Sequence, residues 1–138
     1  MRVVLDTNTV ISAVFWGGFP GRIVELAKTN AISICTSRPL LDELMDVLSR
    51  KKFLARFNLI ASTPSKVLAD YAALAEVVSV PNVPSVVADD PDDDEVIACA
   101  VTAKANYIIS GDRHLLKIGN YDDIFIVNAN QFIDIFNA

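Results

Sequence analysis

Histidine, cysteine and tryptophan are scarce in this sequence: it has one histidine, two cysteines and one tryptophan in 138 residues. With no CxxC pair and no histidine cluster, the residue set argues against a zinc centre. Cys35 and Cys99 stand in apolar surroundings, Ile34-Cys35-Thr36 and Ala98-Cys99-Ala100, and read as reduced core thiols. No apolar run approaches the roughly eighteen residues of a membrane span. Asp6 interrupts the N-terminal run before a signal-peptide core forms, so a soluble cytoplasmic protein without a membrane partner is expected. Internal repeats are absent, and the one biased segment is an acidic run.

What is present is a globular composition, 52% hydrophobic and 21% charged. A chain of this length buries about two thirds of its unfolded surface, so residues 1–138 are expected to fold alone as one domain. The apolar content also leaves room for an interface with a second copy or a partner. The net charge is -5, and its distribution is uneven. Residues 1–88 carry nine bases and seven acids, residues 89–95 six acids and no base, and the remainder three bases and four acids. The acidity is therefore local. It argues against wrapping nucleic acid by bulk electrostatics and leaves a metal-bridged phosphate open.

Periodicity alternates between the two regular structures. Short β-branched or aliphatic runs at Arg2-Val3-Val4-Leu5, Ile32-Ser33-Ile34-Cys35, Val77-Val78-Ser79-Val80, Tyr107-Ile108-Ile109 and Ile124-Phe125-Ile126 predict five strands. Helical spacing predicts helices over 22–28, 37–49, 53–59, 64–76, about 90–105 and 128–136. Between the first strand and the first of these helices, a polar loop is expected after Asp6, and Gly17-Gly18-Phe19-Pro20-Gly21 breaks the chain. Alternating strands and helices imply an α/β sandwich around a mostly parallel sheet.

In such sheets ligands gather outside the carboxyl ends of the strands. Asp6 follows the first strand there, and Asp112 follows the fourth after the Ser110-Gly111 turn. Either alone is as readily a turn or cap residue. Glu43, three residues after Leu40 and four before Val47, falls on the apolar stripe of its helix, where a carboxylate needs a partner. Asp42 and Asp46 fall beside that stripe and read as solvated, Asp46 with the ion-pair spacing to Arg50. In the acidic run Asp90 reads as an N-cap, Pro91 as the first helical residue, and Asp92 and Asp93 as acids matched to the helix dipole. Asp94 heads the buried face, and Glu95 is expected to turn toward solvent.

Four carboxylates converging at one sheet edge would not all ionise without a cation. An all-oxygen ligand set favours Mg²⁺ or Mn²⁺, which would polarise a phosphoryl oxygen and activate water.

Four motifs in order make the resemblance specific. Val3-Val4-Leu5-Asp6-Thr7-Asn8, Ser37-Arg38-Pro39-Leu40-Leu41-Asp42-Glu43-Leu44, Asp94-Glu95-Val96-Ile97-Ala98-Cys99-Ala100 and Tyr107-Ile108-Ile109-Ser110-Gly111-Asp112 together resemble the PIN domain. That is a Mg²⁺/Mn²⁺-dependent ribonuclease fold that includes the VapC-like toxins of bacterial toxin–antitoxin pairs. The Asp90-Pro91-Asp92-Asp93-Asp94 opening and the early Gly-Gly-Phe-Pro turn resemble bacterial members described as toxin components. The resemblance implies a PIN-like three-layer α/β/α sandwich with a central five-stranded, mostly parallel sheet. It carries the metal-binding and catalytic role to Asp6, Glu43, Asp94 and Asp112, and an orienting role to Asn8 and Ser110. It further implies a single-stranded RNA substrate, a cognate antitoxin and a homodimer.

The sequence departs from many relatives at His114, which stands where they carry another acid, two residues after the fourth. Two other readings remain open at this point. Asp6-Thr7-Asn8-Thr9-Val10 loosely resembles the DxDxT start of haloacid-dehalogenase phosphatases, but Asn8 cannot protonate a leaving group and Glu43 would go unexplained. A PIN-fold scaffold that binds RNA or protein without turnover is the non-enzymatic alternative. The local concentration of bases is Arg50-Lys51-Lys52 with Arg56, which reads as dipole-matching cations at a helix end or as a substrate contact. Trp16 and Phe19, flanking the Gly-Gly turn, suit base stacking or packing in a core or dimer contact.

Overall fold

The computed structural model describes residues 1–81 and 91–138, with backbone only at 91–93. The strands are β1 (Arg2–Leu5), β2 (Ser33–Ser37), β3 (Glu76–Val78), β4 (Tyr107–Ile109), β5 (Asn120–Tyr121) and β6 (Ile124–Val127). The α-helices are α1 (Thr7–Phe15), α2 (Gly18–Lys28), α3 (Arg38–Leu48), α4 (Leu54–Ile60), α5 (Pro64–Leu74), α6 (Pro91–Ala103), α7 (Arg113–Ile118) and α8 (Ala129–Asn137), with a 3-10 turn at Lys51–Phe53. They form one sheet in the order β3-β2-β1-β4-β6-β5, parallel at every pairing except β5 with β6.

Side chains alternate across this sheet with the strand period of two. Val3, Leu5, Ile34 and Ile109 enter one core, where Phe15, Phe53, Phe57, Tyr71 and Phe132 supply bulky rings from surrounding helices and the 3-10 turn. Val4, Cys35 and Ile108 enter the other, packed against Val96, Ile97, Cys99, Ala100 and Ala103 of α6 and Leu115 of α7. Small side chains along α6 let its backbone lie close to the sheet. The result is a three-layer α/β/α sandwich, as expected.

Several local expectations are corrected. The sheet has six strands, not five, because the chain after α7 pairs Asn120–Tyr121 antiparallel to β6. A two-residue strand shows no alternation to read, and the link depends on Asp122 adopting a left-handed φ of 51°. The stretch after Asp6 is a helix, not a loop. Its β-branched residues have little helix propensity, but Asp6 caps it and Val10, Ile11 and Phe15 bury its inner face. The helix expected from Arg22 begins at Gly18, because Gly17 and Gly18 at φ 69° and 59° turn the chain sharply enough for Pro20 to fall in the first turn. The helix α7, capped by Asp112, was not expected from the sequence either. The third strand starts and ends earlier than expected, at Glu76–Val78. The expected cap at Asp90 and the side chains of Asp92 and Asp93 lie outside the described residues.

Candidate active site

All the buried polar and charged residues among those described gather at the carboxyl ends of β1, β2 and β4 and the head of α6: Asp6, Thr7, Thr9, Thr36, Ser37, Asp94 and Ser110. β1 delivers Asp6 to that edge, where its backbone N–H still bonds Ile109 at 3.2 Å. The carboxylate then serves as the N-cap of α1, Oδ1 accepting from the Thr9 N–H at 2.8 Å. Oδ2 accepts from the Ser110 hydroxyl at the end of β4. Ser110 Oγ in turn accepts from the Asp112 N–H at 2.9 Å, and Asp112 caps α7 by accepting from the His114 N–H at 2.7 Å. Asp6 and Asp112 are thus linked through one hydroxyl.

Glu43 joins from α3. Its Oε2 accepts from the Thr7 hydroxyl at 2.8 Å, which ties the start of α1 to the middle of α3. Glu43 is half-buried. Asp94, 8% exposed, faces inward at the head of α6. Among the described residues, no group of three or more His, Cys, Asp or Glu side chains is gathered closely enough to hold a metal ion. The Ser110 hydroxyl joins the Asp6 carboxylate to the backbone of Asp112, and the Thr7 hydroxyl holds Glu43 beside the start of α1. Neither Asp6 nor Asp112 has a salt-bridge partner among the described residues.

Other candidates fall differently. Asn8 is exposed and borders a cleft of about 280 Å³ with Ser110 and Gly111, whereas its neighbour Thr7 is the residue bonded to an acid. Thr7 carried no separate signal in the sequence, because a hydroxyl beside a cap residue has an ordinary local use. His114 is exposed. Asp42 and Asp46 are solvated and pair with Arg38 at 3.1 Å and Arg50 at 3.5 Å. Glu95 is a correction: it is half-buried rather than turned to solvent, and its Oε2, like Ser37 Oγ, is buried without a hydrogen-bond partner among the described residues. Both thiols are free, as expected. Burial pushes the Cys99 thiol up to about 12, with Cys35 adding to the shift and the Ser37 hydroxyl opposing it. Cys35 is also raised, again chiefly by burial.

The sequence matches the family described as PIN domain over residues 2–114. The chain belongs to the PIN domain family. Among solved structures, this PIN-domain chain is similar to the VapBC2 structure from Rickettsia felis, crystallised with a DNA fragment from its promoter. The identity is 17%, the match covers 93% of this chain and 98% of that one, and the TM-score is 0.64. At that identity the likeness concerns the fold. No curated protein matches the sequence. Family membership leaves the haloacid-dehalogenase reading without support.

Proposed function

We propose that this PIN-domain protein is a metal-dependent endoribonuclease, hydrolysing phosphodiester bonds in single-stranded RNA as the toxin of a bacterial toxin–antitoxin pair. The observation that carries the reading is the state of Asp6. It is 6% exposed and, among the described residues, accepts only from the Ser110 hydroxyl and the Thr9 N–H; the same hydroxyl accepts from the backbone N–H of Asp112, and no cationic side chain pairs with either acid. Buried negative charge held in that way favours a bound cation. Oxygen donors suit a hard divalent ion, Mg²⁺ or Mn²⁺, and Asp6, Glu43, Asp94 and Asp112 are the residues that would hold it. Once bound, the ion would supply Lewis acidity toward a phosphoryl oxygen and acidify an attacking water.

The protein's own contribution is orientation. Ser110 and the Thr9 N–H fix both oxygens of Asp6, Thr7 fixes one oxygen of Glu43, and the His114 N–H fixes Asp112. Donors of this kind preset carboxylate rotamers and limit reorganisation on ion binding. The resemblance to VapC-like toxins, together with a fold shared with VapBC2, supports a cognate antitoxin, and a homodimer acting in the cytoplasm is part of the same proposal. A silent RNA- or protein-binding scaffold is the second reading, favoured by the lack of a closed ligand set among the described residues.

The deciding experiment incubates the protein with a mixed single-stranded RNA pool in Mn²⁺, Mg²⁺ or EDTA, beside Asp6→Asn. Cleavage that needs metal and falls at least about a hundredfold in the variant supports the nuclease. RNA binding without cleavage in any metal supports the scaffold.

A further inference from the structure

Two helices lead away from the acid edge and meet again at a second surface. Along α1, the ten residues from Asp6 to Trp16 span about 15 Å, and along α3 and its exit Glu43 to Arg50 spans about 10 Å. Their near ends are tied by the Thr7–Glu43 hydrogen bond. Their far ends are tied by rings, Phe15 stacking on Phe53 at 5.2 Å and meeting Phe57 edge-on at 5.0 Å.

On top of that ring cluster sits Trp16, 55% exposed, held edge-on by Phe15 at 5.7 Å and covered by the Arg56 guanidinium at 4.6 Å. Lys52 lies over Phe53 at 5.2 Å. Between Asp46 and Asp70 the chain carries five bases and no acid, in a protein of net charge -5. Asp46 engages Arg50, while Lys51, Lys52 and Arg56 have no ion pair among the described residues.

A fixed indole with a guanidinium against it and free cations beside it is the composition of a single-strand stacking site. An exposed apolar ring alone would suit a protein partner equally well. The unopposed positive charge favours a polyanion.

We propose that Trp16, Arg56 and Lys52 form a stacking platform for single-stranded RNA, holding the strand away from the carboxylates. RNA as the strand rests on the endoribonuclease reading. Bases stack on Trp16, and Arg56 and Lys52 meet the flanking phosphates. A strand too short to span the distance from the acids cannot engage both sites.

The test uses the protein in EDTA, where binding is read without turnover and a failure of the nuclease reading stays separate. Labelled oligouridylate of twelve nucleotides is titrated while anisotropy and intrinsic emission are followed. Trp16 is the sole tryptophan, so the tryptophan component of that emission, excited apart from tyrosine, reports this surface alone. The expected result is quenching that tracks the anisotropy, affinity at least about tenfold weaker in Trp16→Leu, and most of it retained in Trp16→Phe. Arg56→Gln and Lys52→Gln each lower the slope of log affinity against log salt by about 0.7, and Lys104→Gln leaves it unchanged. Unchanged affinity in Trp16→Leu, or no binding at all, overturns the proposal. So does a dimer dissociated by Trp16→Leu with RNA binding intact, which would make the surface a protein interface.

Discussion

The two edges of the sheet treat charge in opposite ways. At the amino edge, Arg2 pairs with Glu76 across the strand between them, and its Nε donates to the Ala103 carbonyl at 2.7 Å. The ion pair is largely exposed, and it holds the Glu76 carboxyl below the usual carboxylate range while raising the Arg2 guanidinium. At the carboxyl edge, Asp6 is buried and, among the described residues, receives only a hydroxyl and a backbone N–H. Charge at the first edge is settled within the protein. At the second, Asp6 has no cationic partner among the described residues, and on the proposed function that contrast separates a pair that staples strands from an acid that would receive a cation.

The contrast is broken most strongly at Asp6. Asp6→Asn keeps the side chain's size and its acceptor toward Thr9, so RNA cleavage should fall at least about a hundredfold while the apo protein's Tm is held or raised by relief of repulsion. Ser110→Ala comes next. It removes the donor that fixes Asp6 and the acceptor for the Asp112 N–H, and it should weaken Mn²⁺ affinity or activity by about 10- to 100-fold in metal titrations. Thr7→Val should act in the same direction on Glu43.

Away from both edges, Cys99 gives a pH signature. Its thiol ionises near 9.0 when unfolded and about 12 when folded, so between those values the folded state binds more protons and stability falls as pH rises. Thermal melts should show a loss of up to about 1.4 kcal/mol per pH unit from this group, flattened in Cys99→Ala. The smallest effect belongs to the amino edge. Glu76 contributes stability above its unfolded value of 4.5 that fades as pH falls through its lowered folded value. Glu76→Gln should leave RNA cleavage unchanged and shift Tm only slightly at neutral pH, since exposed pairs contribute little.

How much of this was legible in the sequence depends on how local the signal was. The strands β1, β2, β4 and β6 announced themselves by apolar runs, and the alternation of Val3, Val4 and Leu5 between two cores follows from the strand period alone. Asp6, Glu43, Asp94 and Asp112 were each placed by strand end or helix face; the Ser110 hydroxyl bridges Asp6 to the backbone of Asp112, and the Thr7 hydroxyl holds Glu43. The helix α1 was hidden because Thr7–Phe15 is dominated by residues of low helix propensity, and tertiary packing overrode them. The role of Thr7 and the burial of the Glu95 oxygen were hidden because both depend on which element lies opposite, which spacing along one chain does not encode.

Calorimetric titration of Mn²⁺ into the apo protein and Asp6→Asn asks whether a divalent cation completes the carboxyl edge. Saturable binding is expected in the parent protein, lost or weakened at least tenfold in the variant, with Glu76→Gln binding as the parent does. Equal binding by Asp6→Asn and the parent, or no binding by either, would contradict that expectation.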